Sequence, residues 1–328
     1  MKNVLVLGNG FDLSLGLPTR YSDYANSKYW PFKEYNNVIT NGLDNFFIEY
    51  VDSQKDELDR VRWIDIEELL LNYALQRRKQ GDNSDKLTYH NKEAYNNLCY
   101  AFEQYLNEVV KKSINKECKR NRYLFDLLTA LKENGSYTQV YSFNYTPTKD
   151  ILSNYFGYSP DVFHMHGSLD DTSHPLILGI SDDYQIDDCY KFMRKSWHDS
   201  YEFHDLNDAL FSAEECVFYG MSFGKADFIY FENFFKSIIQ YHRPGEKKKF
   251  INIFTWDEES REKILDGFES VGISMTKLMS AVQLRIHKIS EFDKFKEKPL
   301  SFDHYLTFLH HLSPNTQNGL IGILNYAT

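Results

Sequence analysis

Val4-Leu5-Val6-Leu7-Gly8-Asn9-Gly10-Phe11-Asp12 is the stretch that decides the fold of this chain of 328 residues. The apolar run predicts a buried strand over 3–7, and the glycines predict a tight turn into a short helix over 11–17. Glycines let such a turn approach a phosphate group, whose charge is met by the N-terminus of the next helix. The stretch is therefore a candidate nucleotide-binding turn, and a plain tight turn is the alternative.

Strands and helices alternate along the rest of the chain. A long helix is predicted over 226–241 and another over 122–133. Further strands are predicted over 139–143, 162–166, 176–179, 217–219 and 250–254, with one more candidate over 282–289. This alternation predicts an α/β fold with a mainly parallel, Rossmann-like sheet flanked by helices, in which ligands lie at the carboxyl ends of the strands.

The segment between the first two strands has a different pattern. It is acidic, shows no obvious strand, and has apolar residues at helical spacing over 63–71 and 98–110, with a polar loop over 79–92 between them. We therefore expect a nucleotide-binding α/β domain made of residues 1–21 and 136–328. A helical insertion of residues 22–135 follows its first βα unit.

Composition narrows the range of partners. The formal net charge of -10 offers no broad basic surface to a phosphate backbone, so it disfavours nucleic acid. No apolar run has the length of a signal segment or a membrane span, so we expect a cytoplasmic protein without membrane contact. The four cysteines include no Cys-x-x-Cys pair, which argues against a zinc site and a disulfide framework.

Three further segments follow predicted strands and carry polar groups. In Ser142-Phe143-Asn144-Tyr145-Thr146, Asn144 can orient a water or bind a ribose hydroxyl, or else make only local turn hydrogen bonds. In His164-Met165-His166-Gly167, we expect His166 to lean into the cleft, and no nearby third ligand supports a metal site. In 219–227, two glycines and Ser222 suit a ribose or phosphate, with an ordinary turn as the alternative.

In this order, the segments resemble the bacteriophage abortive-infection AbiH family over about two thirds of the chain. The resemblance rests on GNGFDLSLGLPTRYSDY at 8–24, WIDIE at 63–67, SFNYT at 142–146, HMHG at 164–167 and YGMSFGKAD at 219–227. From the WIDIE segment, Trp63, Asp65 and Glu67 are candidates to complete or gate the site, and anchoring the insertion is the simpler role for Trp63.

A more distant similarity is to sirtuins, whose motifs occur here in the same order. It implies that Asn144 and His166 are catalytic, matching the sirtuin Asn and His-Gly. It also implies a set of cofactor-binding residues: Gly8, Asn9, Gly10, Phe11, Asp12, Arg20, Gly167, Gly220 and Ser222. For Asp12, a ribose contact and a helix cap are equally good interpretations.

Departures from the sirtuin pattern change the expected activity. The two Cys-x-x-Cys pairs of the sirtuin zinc ribbon are missing, which argues against protein deacylation. Arg20 is displaced by one position, Asp12 stands where sirtuins have a small residue, and Thr146 stands where they have Asp. Zinc-free sirtuin-like domains of bacterial defence systems hydrolyse NAD. The resemblance therefore implies NAD as the substrate, no metal and a water held by Asn144. It also implies that His166 accepts a proton from the ribose hydroxyl or from that water.

Two other classes of function remain open. One is a sensor that binds NAD, ADP-ribose or a similar nucleotide without cleaving it. The other is a nuclease, which needs metal and clustered carboxylates. The candidate carboxylate cluster for a nuclease is an acidic loop that contains Asp182, Asp183, Asp187 and Asp188. A loop exposed to solvent is the simpler interpretation of these residues. A phage-derived trigger and a homo-oligomer are expected as means of restraining an enzyme that consumes NAD.

Overall fold

The protein was analysed as a computed structural model, which describes residues 3–31, 50–51, 53, 66–80, 85–117, 124, 127–128, 138–169, 171–173, 175–202 and 204–290. The strands are β1 (Asn3–Leu7), β2 (Thr138–Ser142), β3 (Asp161–His164), β4 (Glu215–Tyr219), β5 (Phe250–Thr255) and β6 (Gln283–Lys288). The helices are α1 (Asn9–Ser14), α2 (Tyr21–Ala25), α3 (Ile66–Gln80), α4 (Asp85–Tyr105), α5 (Lys111–Glu117), α6 (Thr148–Phe156), α7 (Leu206–Ser212), α8 (Lys225–Tyr241), α9 (Glu258–Ser270) and α10 (Met275–Ala281). The described residues also include a π-helical turn (Leu106–Val110) and two 3₁₀ turns (Asp188–Met193 and Lys195–Trp197).

The chain divides into two compact units. Unit 1 consists of the described residues within Met1–Leu15, Lys119–Met165 and Phe203–Thr328, and unit 2 of those within Gly16–Cys118 and His166–Glu202. The domain boundaries expected from the sequence stay a prediction. The predicted helix over 122–133 falls mostly outside the described residues, as do Trp63 and Asp65.

Unit 1 contains a six-stranded sheet with the order β3-β2-β1-β4-β5-β6. Every neighbouring pair of strands is parallel, with Leu7 aligned to Ser142 on one side and to Tyr219 on the other. This confirms the predicted α/β, Rossmann-like fold. The chain moves outward in one direction from β1 and in the other from β4, so the topological switch point lies between these two strands.

Burial on both faces explains why the central strands are apolar. All five residues of β1 and of β4 are buried, which is typical of parallel strands covered by helices. On one face, α7 packs against α8, and α10 packs against α8, α9 and β6. A cluster of aromatic rings fills the space between these helices and the sheet: Phe218, Phe223, Phe228, Phe231, Phe234, Phe235 and Phe268.

Unit 2 buries tyrosines whose hydroxyl groups hydrogen-bond to backbone carbonyls. Tyr24 donates to Leu98 O, Tyr95 to Leu178 O at 2.6 Å, and Tyr105 to Pro18 O at 2.7 Å. Each ring contributes apolar area while its polar end is satisfied. Much of the high aromatic content is therefore structural in both units.

The structure corrects two predictions about secondary structure. The predicted loop over 79–92 is largely helical, because α3 continues to Gln80 and α4 begins at Asp85. A polar residue occupies a core position there: Asn91 is fully buried and donates to the Tyr73 hydroxyl at 3.1 Å, which interrupts the apolar periodicity.

The predicted strand over 176–179 is also wrong. Its backbone bonds to loops, because the Ile177 N–H donates to His166 O and the Gly179 N–H donates to the side chain of Glu67. Apolar content alone did not distinguish this buried loop from a strand.

In the described part of the chain, no helix combines the length and apolar character needed to span a membrane.

We predict that Gly220→Ala destabilises the protein far more than Gly157→Ala. Both glycines have positive φ, 68° and 62°, but a Cβ at Gly220 would lie 2.5 Å from the Gly10 backbone, whereas a Cβ at Gly157 would meet nothing within 4 Å. The control, Gly157→Ala, is expected to lower the free energy of unfolding by about 1 kcal/mol because of its backbone conformation. Gly220→Ala is expected to lower it by about 2 kcal/mol more because of overpacking. Denaturant unfolding measures both, and equal losses would contradict the close contact.

Candidate functional site

The turns after β1 and β4 pack directly against each other at the switch point. The Gly8 N–H donates to Tyr219 O and the Gly10 N–H donates to Gly220 O, both at 3.0 Å. A Cβ at Gly10 would lie 2.5 Å from Gly220 Cα, and one at Gly8 would lie 2.5 Å from Met221 Sδ. The glycines are thus required by this backbone contact, and the amide of Gly10 is already used.

The turn after β4 has a strained backbone. Gly220 has φ 68°, and Phe223 has φ 51°, an uncommon value for a residue with a side chain. The ring of Phe223 is buried in the aromatic cluster, whereas Ser222 is exposed. The Ser222 hydroxyl accepts a hydrogen bond from the Gly224 N–H at 3.3 Å, as in an ordinary serine turn.

Three buried polar side chains meet at the carboxyl ends of β1 and β2 in unit 1. We call Asp12, Asn144 and Thr146 the Asp12 cluster. Asn144 Nδ2 donates to Asp12 Oδ1 at 3.2 Å, and the Thr146 hydroxyl lies 3.0 Å from both oxygens of the Asp12 carboxyl. All three residues are buried, so these hydrogen bonds replace water that the groups lose on folding.

Asp12 does not cap a helix, and that interpretation is wrong. The N-cap of α1 is Gly8, while Asp12 lies within the helix and bonds across to the segment after β2. Burial raises the pKa of Asp12 from 3.8 to about 7, against the lowering effect of the hydrogen bonds from Thr146 and Asn144. Near neutral pH, the carboxyl group therefore exists in both protonation states.

Asn144 connects the two strand ends through its side chain. Nδ2 donates to Gly8 O at 3.1 Å as well as to Asp12, so both of its protons are used in long-range bonds rather than local turn bonds. Within the described residues, its Oδ1 has no hydrogen-bond partner. The side chain is therefore rigidly held and still able to accept a hydrogen bond from a water or a hydroxyl group.

A second buried polar set lies in unit 2 and contains His166. Lys195 Nζ is 2.8 Å from His166 Nε2 and donates to Glu67 Oε2 at 2.7 Å, while His166 Nδ1 is 3.6 Å from Glu67 Oε1. Glu67 Oε1 also accepts from the Gly179 N–H at 3.3 Å. We call these residues the Glu67 set; mutual pairing makes their burial tolerable.

Sequence reasoning missed Lys195. It lies in a 3₁₀ turn whose spacing carries no motif, so only the contacts of its side chain identify it. Glu67 was identified through the WIDIE segment as a candidate to complete or gate the site, without a predicted partner. The structure now gives it one as the carboxylate partner of Lys195.

The remaining predicted residues differ in their surroundings. Phe11 is fully buried in the core, where its N–H donates to Gly8 O and its carbonyl accepts from the Ser14 hydroxyl. Asn9 is half-buried in the first turn of α1. In unit 2, Arg20 is exposed at the start of α2, and Gly167 is buried with φ 75°.

The acidic loop is engaged by its neighbours. Asp188 pairs with Lys191 at 2.7 Å, and Asp183 accepts from the Ser181 hydroxyl at 2.9 Å. Arg194 Nε lies 3.8 Å from Asp182. These exposed pairs fit a solvated loop better than a catalytic carboxylate cluster.

One comparison with known proteins gives a match. The family model described as "Bacteriophage abortive infection AbiH" matches residues 4–243, which include the glycine turns, the Asp12 cluster and the Glu67 set. No curated protein matches the chain.

We predict that Asp12→Asn changes the pH dependence of stability. Because the folded-state pKa is raised, the protonated carboxyl is favoured in the folded chain. The Asp12 contribution is thus fully present below about pH 4 and is lost as the pH rises through about 7. The free energy of unfolding of the wild type relative to Asp12→Asn should fall by roughly 2 to 3 kcal/mol between about pH 5 and about pH 7.

Denaturant titrations at a series of pH values measure this difference. The matched control is Asp150→Asn, at an exposed aspartate in the first turn of α6, for which no such fall is expected. A difference that stays constant or grows with pH would contradict the prediction.

Proposed function

This chain belongs to the bacteriophage abortive infection AbiH family, and we propose that it defends against phage by hydrolysing NAD to nicotinamide and ADP-ribose. Family membership supports the role in abortive infection. The NAD chemistry is our inference from the Asp12 cluster, which is the observation that carries it, and from the resemblance to sirtuins. The cytoplasmic location, the phage-derived trigger and the homo-oligomer stay predictions.

The position of the Asp12 cluster supports a nucleotide ligand. In open α/β sheets, ligands bind outside the carboxyl ends of the strands, at the switch point. Here that edge holds the glycine turns after β1 and β4, and beside them Asn144 after β2. The proposed nucleotide lies over these turns in unit 1, with the nicotinamide ribose towards Asn144.

The cluster also accounts for two departures from the sirtuin pattern. Asp12 replaces a small residue and Thr146 replaces an aspartate, and these two side chains bond to each other at 3.0 Å. Both departures therefore belong to one buried contact in this chain, which supports the proposal that Asp12 and Thr146 act together.

The proposed reaction is the attack of a bound water molecule on the nicotinamide ribose. The bond between C1 of the ribose and the nicotinamide nitrogen breaks, and nicotinamide leaves with the electron pair, so positive charge develops on the ribose. Asn144 Oδ1 accepts a hydrogen bond from the water whose oxygen forms the new bond, because Nδ2 is already held by Gly8 and Asp12. The resemblance gives His166 the role of proton acceptor.

We predict that the purified protein converts NAD to nicotinamide and ADP-ribose and that Asn144→Ala lowers turnover by at least about 100-fold, because the water loses its acceptor. His166→Ala should have an effect of similar size. Chromatography of the products measures the rate, and Asn233→Ala, at an exposed position on α8, is the matched control.

The outcomes separate the functions. NAD binding that persists in Asn144→Ala, without products in any variant, would replace the hydrolase with a nucleotide sensor. Turnover equal to the wild type in Asn144→Ala would reject the proposed role of the Asp12 cluster. The assay is repeated with an extract of phage-infected cells, so that a missing trigger is not mistaken for a missing activity.

A further inference from the structure

We propose that Asp12 is the proton acceptor for the water held by Asn144, and that Thr146 is built into the site to serve both protonation states of Asp12. The inference deepens the proposed function and rests on it for the identity of the reaction. For His166 the resemblance then leaves the other proton source, the ribose hydroxyl, and that role stays a prediction.

The hydroxyl of Thr146 can reverse its hydrogen bond. A threonine hydroxyl carries one proton and two lone pairs, so it donates to a carboxylate and accepts from a carboxylic acid. Thr146 lies 3.0 Å from both oxygens of Asp12, so either oxygen can carry the new proton without any heavy atom moving. Asn144 Nδ2 can keep donating to Asp12 Oδ1 in both states.

The surroundings of Asp12 contain neutral partners. Its side chain accepts hydrogen bonds from the Asn144 amide and the Thr146 hydroxyl. Both bonds lower the pKa of Asp12, which burial raises. A cation in contact would hold the carboxyl ionised and make it a poor base. Among the described residues no cation contacts Asp12, and burial raises its pKa to about 7, where proton transfer at neutral pH is most efficient.

Asp12 and Asn144 are also one hydrogen bond apart. The side chain that holds the water is itself held by the group that receives its proton, so both tasks share one rigid frame. In the proposed step, the water oxygen bonds to C1 of the ribose and one water proton passes to Asp12. The bond from C1 to the nicotinamide nitrogen breaks, and neutral nicotinamide leaves. The proton then returns to solvent before the next turnover.

The test is the pH profile of NAD turnover in threonine variants. The wild-type rate should rise with pH to a midpoint near 7, as Asp12 becomes ionised. Thr146→Val removes the hydrogen bond that favours the carboxylate, so the midpoint should move upward by about one pH unit. Thr146→Ser keeps the hydroxyl and should keep the wild-type midpoint, and Asp12→Asn should lose this midpoint together with most of the activity.

The control is Thr255→Val, at a buried threonine that ends β5 and is not among the described hydrogen-bond partners of the Asp12 side chain. A purely structural Thr146 would lower activity at every pH and leave the midpoint in place, and that result would overturn the inference. Titration of the Asp12 carboxyl by carbon NMR in the same variants reports the shift without NAD. A shifted titration with an unshifted pH profile would reject Asp12 as the acceptor while leaving the NAD hydrolase standing.

Absence of turnover in all variants, including the wild type with infected-cell extract, would instead reject the proposed function. The two failures are therefore distinguishable. A midpoint that moves with Thr146→Val, returns with Thr146→Ser and is unaffected by Thr255→Val supports the inference.

Discussion

The hydrogen bond from the Gly10 N–H to Gly220 O joins the two turns on which the described site depends. It requires the backbones after β1 and β4 to approach so closely that a Cβ on either glycine would overlap the other turn. With these backbones held together, Gly8 presents its carbonyl to Asn144, and α1 begins at a defined position. The placement of Asp12 follows, because it lies one turn into that helix.

The protonation state of Asp12 depends on its burial among neutral neighbours. Removing the group from water disfavours its charge, whereas two hydrogen bonds from an amide and a hydroxyl favour it. Burial is the larger effect, so the pKa rises to about 7 instead of falling, as it would beside an arginine. The protein thereby keeps a destabilising group in its core, a feature more often associated with activity than with stability.

In the Glu67 set, a buried charge is balanced by an opposite charge, whereas the partners of Asp12 are neutral. Lys195 and Glu67 form an ion pair that is almost completely buried, and His166 completes it. A buried pair of this kind offers little net stability over apolar residues, while removing one partner leaves the other uncompensated. In this chain the pair holds the predicted catalytic histidine in place within unit 2.

The sequence by itself determined the parallel α/β sheet, because apolar runs long enough to be buried on both faces and glycine turns at their ends are local patterns. It also identified Asn144 and Asp12 as polar residues at strand ends. It could not show that Asp12 bonds to Thr146, that Asn91 is a core residue or that Lys195 pairs with Glu67. These contacts join residues distant in the chain, and the energy of a buried polar group depends on its partners, which only the tertiary structure decides.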